Sequence, residues 1–132
     1  MPQRIDLVLR FVHREMRIAS ETHADPCIEH EVAAHELRHV ALDDAMIAEF
    51  RPLLEARVRE FGRALLPAAA GSFEEAKARL SDRLRSGVRA IYEEFEGTRH
   101  RRHRDEIDTE AEYARVKTMC GGRAPALVAR RL

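Results

Sequence analysis

Three residues of this chain stand in a spacing that suits a divalent metal ion: His35, Glu36 and His39, reading H-E-x-x-H. On a helix, residues four apart lie one turn above each other on the same face, so both imidazoles reach a single ion. Glu36 is turned by about 100° from His35. Its carboxylate therefore sits beside the ion, where it takes a proton from a water that the ion activates. The same letters also describe two histidines and a glutamate on a solvated helix face. A well-signalled helix around them favours the metal reading. His30 and Glu31 pair with His35 as H-E-x-x-x-H, but that spacing turns the two rings about 140° apart.

A catalytic zinc takes three protein ligands and keeps an open position, so a third ligand must come from elsewhere. If the helices on either side of residues 67–72 pair antiparallel, facing positions total about 138, because both rise equally from a common turn. The partner of His39 then falls near residue 99 and that of His35 near residue 103. His103 is the expected third ligand. His100 and Glu96 share its stripe, and a register shift at Pro52 would bring Glu93, Glu94, Asp105 or Asp108 into reach. Asp43 and Asp44, a turn beyond His39, either orient a ligand histidine from behind or simply face solvent. The cysteines make a poor zinc pair, since only Cys27 with His30 approaches ligand spacing.

The elements that must position these residues are mostly helical. Asp25-Pro26 is a helix start, with an Asp cap and a proline at the first helical position. From there an apolar stripe runs through Val40, Ile47, Phe50, Leu54, Val58, Phe61 and Leu65. Pro52 interrupts it, which predicts a kink or break near Glu49 to Arg51. Leu66 to Gly71 reads as a turn, and Ser72 with Glu75 as a capping box. The next helix carries Phe73, Leu80, Leu84, Val88, Ile91 and Phe95 as its buried row and ends at Gly97 unless its charged residues carry it on. Thr109 with Glu112 opens a short third helix that Gly121 and Gly122 close. Residues 123–132 have too little pattern to place.

Residues 4–21 fit two patterns. Ile5, Leu7, Leu9 and Phe11 alternate as in a strand, while Ile5, Val8, Leu9, Val12, Met16 and Ala19 fit a helical stripe. The concentration of β-branched and aromatic residues favours two short strands. The expected fold is thus α+β and mostly helical, a single domain over residues 1–132. A short N-terminal β-hairpin precedes a long HExxH-bearing helix, an antiparallel partner helix and a short C-terminal helix.

The chain has 132 residues, 23 basic and 23 acidic, for a net charge of zero. No global basic field results, which disfavours nucleic acid as a partner. The run RHRRHR at residues 99–104 reads as a solvated helix end, or else as a local phosphate-binding patch without aromatic interleaving. No apolar run is long enough for a membrane span, and the N-terminus lacks the pattern of a secretory signal. Cys27 and Cys120 read equally as one long-range bridge or as two unrelated thiols.

The residues HELRH on a helix, preceded by a short apolar stretch and a cysteine, resemble the zincin metallopeptidases in their smallest form. More narrowly, IDLVLRF through MRIASE, then Cys27, EHEVAAHELRHVALD and later EIDTEAEYARV followed by Cys120 are similar to small bacterial exported metallopeptidase domains. The resemblance covers roughly residues 4–120. It implies an α+β fold, zinc held by His35 and His39, and Glu36 as general base. It also implies that Cys27 and Cys120 pair in an oxidising compartment. The expected location is periplasmic or secreted if the precursor carries a signal peptide, and otherwise cytoplasmic, the location of a cytosolic relative. The gluzincin third-ligand pattern, E-x-x-x-D, does not occur after His39, so the histidine route stands beside it. The function so implied is hydrolysis of peptide bonds in a peptide or protein, with Tyr113, His100 or His103 as donor to the developing oxyanion. The alternative is a non-catalytic zinc-binding or helical interaction domain on the same skeleton.

Overall fold

In a computed structural model, which describes residues 6–64 and 71–124, three α-helices form where the local signals place them. Asp25 Oδ1 accepts from the Cys27 amide at 3.1 Å, Pro26 takes the first helical position, and α1 runs Pro26–Ala64. A single 3-10 turn, Ser20–Ala24, precedes it. Ser72 Oγ accepts from the Glu75 amide at 3.2 Å, the Glu75 carboxylate accepts from the Gly71 amide at 2.9 Å, and α2 follows as Phe73–Arg102. Thr109 Oγ1 accepts from the Glu112 amide at 3.2 Å, opening α3, Glu110–Gly122. At the far end of α3, Cys120, Gly121 and Gly122 all have positive φ, which unwinds the helix where the glycines predict.

The fold is helical, and the expected β-hairpin is not there. Residues 6–10 alternate between half-buried and exposed as a strand would, with Leu7 and Leu9 turned inward, but no strand is assigned among the described residues. A strand is stable only when a neighbour completes its ladder of hydrogen bonds, and among the described residues no segment pairs with this one. The α+β class is therefore replaced by an all-helical one. Both long helices run on past the residues that could have ended them. Helix α1 passes through Pro52 without a break. Pro52 is exposed while Phe50 and Leu54 beside it are buried, so packing of the stripe offsets the one lost backbone bond. Helix α2 passes Gly97 and ends only at Arg102. The expected turn at residues 66–71 lies outside the described residues except for Gly71.

The chain divides into two compact units, Met1–Arg10 with Met46–Thr98, and Phe11–Ala45 with Arg99–Leu132. In the first, Met46, Phe50 and Leu54 of α1 and Phe95 of α2 are buried. The rings of Phe50 and Phe95 meet edge to face, 5.2 Å between centroids and 76° between planes, a contact worth about 0.5–1.5 kcal/mol beyond the area it buries. Phe50 with Phe95, Arg57 with Glu94 and Phe61 with Gly87 make the two helices antiparallel here. Leu7 and Leu9 lie along α1, where Ile47, Leu54 and Val58 share with them a cleft of about 530 Å³.

In the second unit, α3 runs antiparallel to α1 and the pairing is a ladder. Asp25 meets Arg123 at 2.6 Å, and Cys27 is disulfide-bonded to Cys120 with Cα atoms 5.9 Å apart. Glu31 meets Arg115 at 2.6 Å, and His35 meets Glu112 at 3.1 Å. Successive rungs advance by two to four residues from Asp25 along α1 and go back by three to five towards the start of α3, which is the antiparallel order. Ile28, Leu42, Ile107 and Ala124 are the buried apolar residues of this unit.

Candidate metal centre

The next rung of that ladder is where chemistry becomes possible. His35 Nε2 and His39 Nε2 stand 3.1 Å apart, as the four-residue spacing on α1 predicts. Asp108 Oδ1 completes a triangle with them, 3.3 Å from His35 Nε2 and 3.2 Å from His39 Nε2. Among the described residues this is the one group of three or more His, Cys, Asp or Glu ligand atoms that converges on a common point. Tetrahedral zinc, with bonds of about 2.0–2.1 Å, sets its ligand atoms about 3.3–3.4 Å apart. The triangle is within a few tenths of an ångström of that spacing, and two imidazoles with one carboxylate are an established ligand chemistry for a catalytic zinc. The rings are largely buried, and the Asp108 side chain, 34% exposed, forms the open side.

Asp108 reaches the triangle because the chain makes a wide turn between α2 and α3. Residues His103–Ile107 form one π-helical turn, closed by the Asp108 amide donating to the His103 carbonyl at 2.9 Å. Such a turn carries one extra residue and swings the next side chain off the helix face. Ile107, buried, pins the turn to the core, and Thr109 immediately restarts a helix. Asp108 is thus held between an anchored apolar residue and a cap.

Behind the triangle the ring nitrogens of both histidines are engaged. Nδ1 of His35 lies 3.1 Å from Glu112 Oε1. A carboxylate only accepts, so in the tautomer that donates to Glu112 the His35 proton is on Nδ1 and the Nε2 lone pair faces the triangle. Glu112 is buried and also accepts from Arg115, at 3.0 Å from both Nε and Nη2, and from Arg38. Arg38 Nη2 is in addition 3.0 Å from His35 Nδ1, and because a guanidinium only donates, that contact is a hydrogen bond only in the other tautomer. The Arg115 bonds, joined by Arg38 and His35, overcome the penalty of burial and hold the Glu112 carboxyl far below the usual carboxylate range. Glu112 stays a carboxylate at any working pH.

On the other histidine, Nδ1 of His39 is 2.7 Å from Nδ1 of His103, and the two rings are tilted by 32° with centroids 4.7 Å apart. His103 Nε2 is 2.7 Å from Asp43 Oδ1. The Arg99 guanidinium grips Asp43 twice, Nε to Oδ1 at 2.6 Å and Nη2 to Oδ2 at 2.9 Å. Burial alone pushes the Asp43 carboxyl up, but Arg99 and His103 outweigh it and the net shift is downward.

The sequence reading brought the right elements together with the register displaced by about a turn. His103, expected as third ligand opposite His35, faces His39 from the side away from the triangle, and Asp108, held among the alternatives, stands at the converging point. His100, Glu96, Glu93, Glu94 and Asp105 do not belong to the converging group. Asp43 contacts His103, which is outside the converging group, and not directly a histidine of the triangle as one of its two readings had it, whereas Asp44 is 61% exposed and pairs with Arg14 at 2.5 Å. Glu36, the residue after His35 on α1, is half-buried, and Tyr113 is exposed. Sequence reasoning missed Glu112, Arg38 and Arg115 as partners of the site. Glu112 had a signal, the third position of a capping box, but the box describes its amide, while its carboxylate turns to α1. The RHRRHR run is not a free basic patch: Arg102 pairs with Glu106 at 2.5 Å, Arg104 with Asp105 at 2.7 Å, and Arg99 and His103 with Asp43.

No family model, no curated protein and no solved structure matches this chain.

Proposed function

We propose that this chain is a small HExxH zinc hydrolase acting on peptide bonds in a peptide or protein substrate. The observation that carries the reading is the His35, His39 and Asp108 triangle, with edges of 3.1–3.3 Å, on the helix that also carries Glu36 as the residue after His35. His35, His39 and Asp108 are the residues that would hold the ion. When bound there, zinc supplies a Lewis acid that polarises a scissile carbonyl and acidifies water.

The remaining chemistry belongs to the chain. Glu36, turned about 100° from His35 on the same helix, accepts the proton of the attacking water and returns it to the leaving amine. Glu112 and Arg115 hold the His35 ring in one orientation, which spares the site reorganisation during the reaction. The Cys27–Cys120 bond supports an oxidising compartment, periplasmic or extracellular, as the working location.

The test is zinc content and peptidase activity of the metal-reconstituted protein, with Glu36→Gln beside it. Near one zinc per chain in both, with activity reduced by about 10²–10⁴-fold in the variant, is the expected result. A protein that binds zinc but cleaves no peptide mixture, and in which Glu36→Gln changes nothing, would instead be a non-catalytic zinc domain. No zinc uptake at neutral pH overturns the reading.

A further inference from the structure

The three groups behind His39 admit one arrangement of protons when both rings are neutral. Asp43 is an ionised carboxylate gripped by Arg99 and can only accept, so His103 Nε2, 2.7 Å away, is the donor. A neutral imidazole has a single N–H. With its proton on Nε2, His103 presents a lone pair at Nδ1. The nitrogen facing it at 2.7 Å, Nδ1 of His39, must then carry the hydrogen of that contact. His39 is left with its lone pair on Nε2, the atom at the triangle.

From this we infer that His103 is a positioning residue: with Asp43 and Arg99 behind it, it selects the tautomer of His39 in which Nε2 is free to bind a metal. The inference rests on the metal reading above and assigns His103 a place outside the ligand set. The two histidines of the motif are then set by different devices. His35 has a carboxylate, Glu112, directly behind it, whereas His39 donates to a carboxylate through an intervening imidazole. With His35 in the tautomer that donates to Glu112, the result at the triangle is the same on both: two Nε2 lone pairs and one carboxylate oxygen converge with no proton among them. That set of acceptors is stabilised by a cation.

The arrangement also explains why His103 opens the π turn. The turn that delivers Asp108 to the ligand side begins at the residue that supports His39 from behind, so one local distortion provides both. Ligand and support move together if the turn moves.

The experiment uses the full chain with its disulfide intact. Zinc affinity is measured by competition with a chromophoric chelator for the parent, His103→Phe and His103→Asn, with circular dichroism to verify the fold of each. Phe fills the ring's place and offers no acceptor, whereas the Asn oxygen lies near the position of Nδ1 and still accepts. A loss of about 10–100-fold in affinity is expected for His103→Phe, with most of it restored in His103→Asn. The cobalt(II)-loaded proteins report the ligand set: the absorption bands of His103→Phe should keep the parent's positions. In the zinc-loaded parent, ¹⁵N shifts of His39 should show Nδ1 protonated. Cobalt bands that move in His103→Phe would make His103 a ligand and overturn the proposal. So would His103→Phe binding zinc as the parent does, or His103→Asn binding no better than His103→Phe. A parent that takes up neither zinc nor cobalt overturns the metal reading itself, which separates the two failures.

Discussion

The disulfide gives the sharpest quantitative expectation. Cys27 and Cys120 are 93 residues apart in sequence, so the bond closes most of the chain into one loop. In the chain-entropy treatment, closing a loop of that length lowers the freedom of the unfolded state by an amount equivalent to about 4.6 kcal/mol at 25 °C. Replacing both cysteines by serine, Cys27→Ser with Cys120→Ser, should therefore lower stability by about 4–5 kcal/mol. The native fold should persist if enough stability remains, because Asp25–Arg123, Glu31–Arg115 and the contacts of Glu112 with His35 and Arg38 still connect the same two segments. The assay is guanidinium unfolding of the metal-free proteins. The midpoint should fall, and the slope should rise, since an uncrosslinked unfolded chain exposes more surface. Thiol titration of the unfolded parent checks that the bond is present. With the bond shown to be intact, a loss below about 1 kcal/mol with an unchanged slope would refute loop closure as the origin of its effect.

Other outcomes follow from the same geometry. Asp108→Ala should abolish near-stoichiometric zinc uptake while leaving the helical circular dichroism unchanged; retention of parental affinity would remove Asp108 from the ligand set. Gly87→Ala would ordinarily favour a helix by about 1 kcal/mol, but here the new methyl would stand 2.5 Å from the Phe61 ring, so a net loss of about 1–3 kcal/mol is expected. In a Phe61→Ala background the same change should become stabilising, and thermal unfolding of the four proteins reads the cycle. Arg123 beside Asp25, chiefly by its hydrogen bonds, holds that carboxyl below the ordinary value. A lowered folded pKa contributes stability that is complete above the unfolded value near 4 and is lost as pH falls through the folded one. Urea midpoints between pH 6 and 2 should therefore decline below about pH 4, and less steeply in Asp25→Asn than in the parent; equal slopes would show that the pair is not formed in solution.

What the sequence by itself determined was local. Asp25, Ser72 and Thr109 cap helices because each offers an oxygen to amides within three residues, and that reach is independent of the rest of the chain. The meeting of His35 and His39 likewise follows from four residues on one helix. The tertiary structure decided everything that depends on register. Which residues face His39 is decided by how the segment between α2 and α3 meets α1, and a shift of one turn exchanges one candidate ligand for another. The N-terminal alternation was legible and still formed no strand, because a ladder needs a partner and pattern alone cannot supply one. The third position of the site turned on a single π turn, one extra residue between α2 and α3. Nothing in the periodicity of RHRRHRDEID marks it, since the insertion is held by the buried Ile107 and by contacts from α1, residues about sixty positions earlier.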